Sequence, residues 1–281
     1  MSDSSKSLHQ LSVEYRGFQA SPLHWTSHHL ELVGCRFIEV EEASGTQGHH
    51  PQQDGRLTYY ATRLATTPVE NMKSHYVRSL LRGTGVLEFV LVAAAFHYCR
   101  RLVHVPHCSA FRISGHIDVP RPEPIVGYYS YNVDEDRKAR FTARAGPPGT
   151  VNLPMERIYE RRRAKVTPQD WTRDPYLVCV MLSLAQVQEA SDTTGQPRLY
   201  LVRLLVTHKD EQENAYVYKA DFPSQFLECL KFPSRPMNDF DFPAITVAKV
   251  PFEPYETFGG RAAEALVGAQ YFPSTAFPST T

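Results

Sequence analysis

The sequence predicts an α/β (or α+β) protein, a mixed, partly antiparallel sheet flanked by helices in a single compact domain. Three observations carry that reading. Residues 177–187 make a helix with hardly any polar face, LYLVRLLVT at 199–207 reads as a strand buried on both sides, and AYVYKADF at 215–222 reads as its returning partner. A helix apolar all round is one covered on several sides. A continuous aliphatic strand belongs in the middle of a sheet.

Each element has a local cause. Residues 1–27 are polar and expected to be a flexible N-terminus. HLELVGCRFIEVE at 29–41 reads as a bent strand with Gly34 as a bulge, and 43–56 as a disordered loop rich in Gly, Gln and His. Thr67, Pro68, Val69 and Glu70 open a helix that carries Met72, His75, Tyr76, Ser79 and Leu80 on one face. Gly83-Thr84-Gly85 interrupts it as a helix–helix corner, and 86–103 is expected as a second apolar helix. Strands follow at 110–119 and 125–132, separated by a Pro-rich turn. A Pro/Gly connector at 146–154 and a charged segment, ERIYERRRAK at 156–165, come next. Asp174 then caps a helix whose first residue is Pro175, where a missing N–H costs nothing. The loop HKDEQEN joins the two anchor strands, and Pro223 starts a short helix with Phe226, Leu227 and Leu230 at helical spacing. A strand at 244–250 and a helix around 258–267 close the domain, which is placed at 28–270 with a disordered tail at 271–281. The basic linker leaves two lobes, 28–145 and 168–270, as an alternative.

Composition narrows the class. Lys+Arg and Asp+Glu balance at 30 each, so no net field favours nucleic acid, membrane or an acidic partner. The five cysteines, Cys35, Cys99, Cys108, Cys179 and Cys229, are odd in number and far apart, the pattern of reduced thiols in an intracellular protein. The N-terminus has no basic stretch followed by an apolar one, and no apolar run reaches the ~20 residues of a bilayer span. The expected compartment is the cytoplasm or the nucleus, with no membrane association.

Candidate chemistry is sparse. His97, Cys99, His104, His107 and Cys108 crowd together and are all zinc-ligand types, but their spacing is that of a helix end rather than of paired ligands. The pairs His28-His29 and His49-His50 fall in exposed segments. No Gly-x-Ser-x-Gly elbow, phosphate loop or dinucleotide fingerprint is present, and no cofactor is expected. Between 137 and 165, nine basic residues face two acidic ones, and Arg161-Arg162-Arg163 is the sharpest cluster for gripping phosphates.

One order of elements points further. A helix with Glu88, a strand with Asp118 (SGHIDV), a second strand, a helix with Gln186 and Gln188 and then a β-pair resembles the PD-(D/E)XK nuclease-like superfamily over residues 68–230. The resemblance implies a divalent metal held by a helix carboxylate, a strand Asp and a Glu-x-Lys, with water as nucleophile. Glu88 and Asp118 match the first two. The next strand, IVGYYSYN, offers no Glu-x-Lys, and Glu123 stands in the turn before it, so the resemblance implies an inactive, degenerate copy. The stretches WTRDPYLVCVMLSLAQVQ and YVYKADFPSQFLECLKFP are also similar to a group of filamentous-fungal proteins with no assigned activity, which implies an intracellular globular protein.

The expected function is therefore a non-catalytic interaction or regulatory protein with a protein partner. Aromatic residues in Pro-rich loops, Phe240, Phe242, Phe252, Tyr255, Tyr271 and Phe277, are its candidate anchors. A divalent-metal nuclease-like or other hydrolytic enzyme using Glu88, Asp118 and Glu123 is the alternative. Nucleic-acid binding through 137–165 is the second.

Overall fold

The computed structural model describes residues 6–40, 55–91, 93–115, 117, 122–143, 146, 149, 150, 152–192, 196, 198–237 and 241–272. In chain order these form α1 (Leu8–Glu14), α2 (Ser27–Val33), β1 (Phe37–Glu39), α3 (Gly55–Thr66), α4 (Glu70–Gly83) and β2 (Leu87–Leu91). β3 (Phe96–Tyr98), β4 (Arg101–His104), β5 (Cys108–Ile113), β6 (Ile125–Tyr131), α5 (Val133–Arg140) and α6 (Leu153–Val166) come next. The chain ends with α7 (Pro175–Ala190), β7 (Leu199–His208), β8 (Asn214–Pro223), α8 (Ser224–Lys231), β9 (Ile245–Pro251) and α9 (Tyr255–Val267).

Seven strands form one mixed sheet in the order β1-β9-β8-β7-β6-β5-β2, and β3 pairs with β4 as a separate hairpin. β6 runs parallel to β7 over Ile125↔Val202 to Tyr131↔His208, and β1 runs parallel to β9. Every other pairing is antiparallel. Parallel neighbours need a long crossover, and α5, α6 and α7 supply it. Because β6 and β7 lie on either side of the basic linker, both halves of the chain share one sheet.

All seven residues of β6 are buried, so both of its faces are covered. Strand side chains alternate between faces. Ile125, Tyr129 and Tyr131 join α7, α8 and the N-terminal segment in one apolar layer. Val126 and Tyr128 join α3, α4 and α9 in the other. Eleven residues of α7 are buried, from Pro175 to Ala185. At about 1.5–3 kcal/mol for each large aliphatic side chain removed from water, this helix is the main source of cohesion on its face.

Several elements differ from the expectation. Residues 27–33 are helical, because Thr26 and His29 form a reciprocal capping box and Gly34 ends the helix at φ +76°. The run at 86–103 is three strands rather than a helix. Gly85, at φ +74°, turns the chain out of α4, and 87–91 then finds the open edge of β5. Cys99 and Arg100, both at positive φ, make the tight turn between β3 and β4. An apolar run of this kind satisfies either period, and strand pairing decides between them. The N-terminal segment expected to be loose carries α1. Ser7 and Gln10 cap it reciprocally, Leu8 and Leu11 are buried, and the His9 N–H donates to the Pro233 carbonyl at 2.9 Å. The charged stretch at 156–165 is part of helix α6. The loop expected at 43–56 lies outside the described residues up to 54, and Gly55 and Arg56 already belong to α3. The disordered tail expected at 271–281 lies outside them from 273 onward, but its first residue, Tyr271, is ordered against the α9 layer and buried there.

Candidate functional site

In an open sheet, side chains beyond the carboxyl ends of parallel strands are free to converge. Here the ends of β6 and β7 gather the buried polar groups of the α4 side. Tyr128, Ser130 and Thr207 are on that face and buried. The Tyr128 hydroxyl and the Thr207 Oγ1 lie 2.9 Å apart.

Two residues of α4 complete the cluster. Glu70 begins the helix, where its charge meets the positive end of the helix dipole. Asn132 Nδ2 donates to Glu70 Oε2 at 2.5 Å, and Tyr129 donates its hydroxyl to Asn132 Oδ1 at 2.9 Å. Burial raises the Glu70 carboxyl above its ordinary range, against the lowering effects of the Asn132 bond and of His107. Lys73 lies one turn on and is fully buried. Its Nζ donates to the Leu64 carbonyl at 2.8 Å and to the His208 carbonyl at 3.5 Å. Leu64 belongs to the last turn of α3, whose carbonyls have no partner within the helix. Lys73 therefore caps α3 and ties it to the end of β7. Desolvation lowers its ammonium to about 8.

On the α7 side, Asp174 and Arg137 are both fully buried. Arg137 also donates through Nε to the Leu23 carbonyl at 3.0 Å, and Tyr131 donates its hydroxyl to Asp174 Oδ2 at 2.6 Å. Asp174 accepts the Tyr176 N–H at 2.8 Å as the cap of α7. His208 stacks on Trp171 with centroids 5.1 Å apart, and burial lowers its pKa. These groups hold the crossover to the sheet.

The residues singled out from sequence do not meet. Glu88 is on strand β2, not on a helix, and pairs with Arg112 of β5. Its neighbours Leu87 and Phe89 pack toward the α4 layer, so Glu88 projects from the opposite face to Glu70 and Lys73. Asp118 lies outside the described residues. Glu123 offers its backbone carbonyl to Gln188 Nε2 at 2.5 Å. Gln186 accepts from the His97 N–H and donates to the His97 carbonyl, both at 2.8 Å, which pins β3 to α7.

The histidine and cysteine cluster is dispersed likewise. The His97 side chain and His107 are exposed. His104 Nε2 lies 2.7 Å from the Tyr176 hydroxyl, and burial lowers its pKa. Cys108 is buried in the α7 layer, with its thiol pushed up to about 12 by desolvation. Among the described residues, no group of three His, Cys, Asp or Glu stands together to hold a metal. His29 is a helix cap, and His49 and His50 lie outside the described residues. Arg161 and Arg162 are exposed on α6, and Arg163 is half-buried.

The proposed aromatic anchors are mostly core. Phe252 and Tyr271 are buried in the α9 layer, and Phe242 packs edge-on against Phe226 at 4.8 Å. Tyr255 packs against the same layer as Phe252, while Phe240 and Phe277 lie outside the described residues.

Sequence reading missed Glu70, Lys73 and Asn132. One signal for Lys73 was present: at 73, 76, 77 and 80 it shares the spacing of the buried face of α4. A lysine on an apolar stripe is rarely fully buried without a partner. No protein-family model matches the chain, and no curated protein aligns with it significantly. Among the described residues, no helix is long and apolar enough to cross a membrane.

Proposed function

We propose that the chain is a non-catalytic interaction or regulatory protein that engages a protein partner through α6. One observation carries this reading: α6 is a helix of 14 residues that buries none of them. Leu153 is 56% exposed and Ile158 41% exposed on it. An isolated helix of this length is marginal in water, and most helices gain their stability from packing an apolar face. Only Met155, Tyr159, Arg163 and Val166 are half-buried, with Tyr159 6.5 Å from Phe141. A partner covering Ile158 and its neighbours on that face would supply the missing contact.

The polar groups at the strand ends favour the same conclusion. Lys73, Asp174, Arg137 and Asn132 are each engaged in bonds that hold elements together. The test is thermal unfolding with EDTA, Mg²⁺, Mn²⁺ and Zn²⁺. A ligand at about 100 times its dissociation constant adds about 2.7 kcal/mol. No shift with any ion is expected; a shift that Asp118→Ala abolishes would overturn the reading in favour of a metal enzyme. For the partner, Ile158→Lys is expected to abolish capture without lowering the melting temperature.

A second reading rests on Arg157, Arg161 and Lys165, which recur every four residues and so share one stripe of α6. Like charges at this spacing oppose the helix, and phosphate oxygens would relieve them. Retention on heparin into high salt, lost in Arg161→Glu, would favour a nucleic-acid partner. Elution at low salt would count against it.

A further inference from the structure

The N-terminal segment does not lie flat on the sheet layer beneath it. Between α2, the β3–β4 hairpin, α7 and α8 it leaves a partly open cavity of about 200 Å³. Its walls are largely aromatic and aliphatic, with Phe18, Trp25, Phe96, Leu182 and Phe226 prominent. These rings brace one another. Trp25 meets Phe96 edge-on at 5.6 Å, and Phe18 stacks on His29 at 6.1 Å.

The lining includes no Asp, Glu, Lys or Arg. A charged ligand would lose its hydration there with nothing in return. Most polar groups of the wall are already engaged. His29 Nδ1 lies 3.0 Å from the Thr26 N–H nitrogen and its Nε2 3.1 Å from the Gly17 carbonyl, while Trp25 Nε1 donates to the Ala20 carbonyl at 3.1 Å. Tyr98 differs. Its hydroxyl is buried and has no well-formed hydrogen bond among the described residues, with Gln19 as its polar neighbour. A buried donor left without an acceptor is costly, and a ligand that supplied one would remove that cost.

We infer that this cavity is a binding site for a small neutral aromatic molecule, one ring or two fused rings, carrying a single hydrogen-bond acceptor for the Tyr98 hydroxyl. Size supports the class: an apolar cavity of about 150 Å³ takes benzene, so about 200 Å³ has room for a ring with a short substituent. The inference is independent of the role given to α6.

Acetophenone, which has the acceptor, and ethylbenzene, which lacks it, are suitable probes. Binding is read by saturation-transfer NMR and by the shift in melting temperature of the full chain. Acetophenone is expected to bind saturably and to raise the melting temperature. Tyr98→Phe deletes a hydroxyl with no well-formed hydrogen bond among the described residues, so the variant folds, and it is expected to weaken acetophenone roughly 2- to 10-fold while leaving ethylbenzene unchanged. Val103 lines the cavity yet is 42% exposed, so Val103→Trp narrows the opening with little effect on the core and is expected to abolish both. Absence of acetophenone binding to the wild-type chain would overturn the site. So would binding that survives Val103→Trp. Equal weakening of both probes by Tyr98→Phe, or no weakening of either, would overturn the role of the hydroxyl.

Discussion

Arg137 and Asp174 meet in a bidentate ion pair with both side chains fully buried, Nη1 to Oδ2 at 2.6 Å and Nη2 to Oδ1 at 2.9 Å. The pair joins α5 to the start of α7, the two ends of the crossover between β6 and β7. Paired charges in this setting tolerate burial only together, because each leaves the other uncompensated when removed.

Asp174→Ala is expected to cost about 3–5 kcal/mol, since it strands the guanidinium and removes the cap of α7 at once. Urea unfolding measures it. Replacing both residues with apolar ones of similar volume should cost less than either single change. A single-variant loss below about 1 kcal/mol would mean that water reaches the guanidinium after substitution.

Lys73 makes stability depend on pH in a defined window. Its folded value, about 8, lies below its ordinary 10.5, so between those limits the unfolded chain binds the extra proton. Stability from this group therefore rises with pH from about 8 toward 10.5, and below 8 the charged, buried ammonium is a standing cost. The slope is at most about 1.4 kcal/mol per pH unit. Comparing wild type with Lys73→Met at pH 7 and pH 10 isolates the effect from the tyrosines. The difference should move in favour of wild type at the higher pH. A difference that stays constant would place the ammonium in contact with water.

Gly127 occupies the middle of β6 beneath α7 because nothing larger fits. A Cβ there would overlap Leu184 Cδ1, stand 2.9 Å from Leu204 Cδ1 and 3.1 Å from Cys108 Sγ. Gly127→Ala is expected to cost about 1–3 kcal/mol by overpacking. Combined with Leu184→Ala, the double variant should lose less than the sum of the two single losses, which a double-mutant cycle reads directly.

Of the five thiols, only Cys99 is exposed; Cys35, Cys108, Cys179 and Cys229 are buried. Burial raises Cys35 and Cys108 to about 12, far from any useful thiolate population near neutrality. An aromatic disulfide reagent at pH 8 should therefore titrate one thiol quickly in the native chain and five in denaturant. Cys99→Ser should remove the fast phase. Two or more fast thiols in wild type would contradict the packing around α7.

Legibility followed how local the cause was. The helix α7, the strands β7 and β8, α8, β9 and α9 could be read in advance, because caps, Pro residues and charged turns mark them within a few positions. Glu88 could not be placed that way. Its segment suits a helix or a strand, and the free edge of β5, far downstream, settled it. The polar cluster was hidden for a related reason. Glu70, Asn132 and Thr207 are ordinary surface residues by type, and only the parallel pairing of β6 with β7 brings their neighbourhoods together.

Apolar periodicity and turn chemistry thus settled the class of fold, a mixed sheet between helices, since those signals act over one or two turns of chain. The order of the strands, the face each side chain takes and the cavity under the N-terminal segment came from contacts between residues far apart in sequence. Such contacts depend on how whole surfaces fit, and no short window of residues encodes that fit.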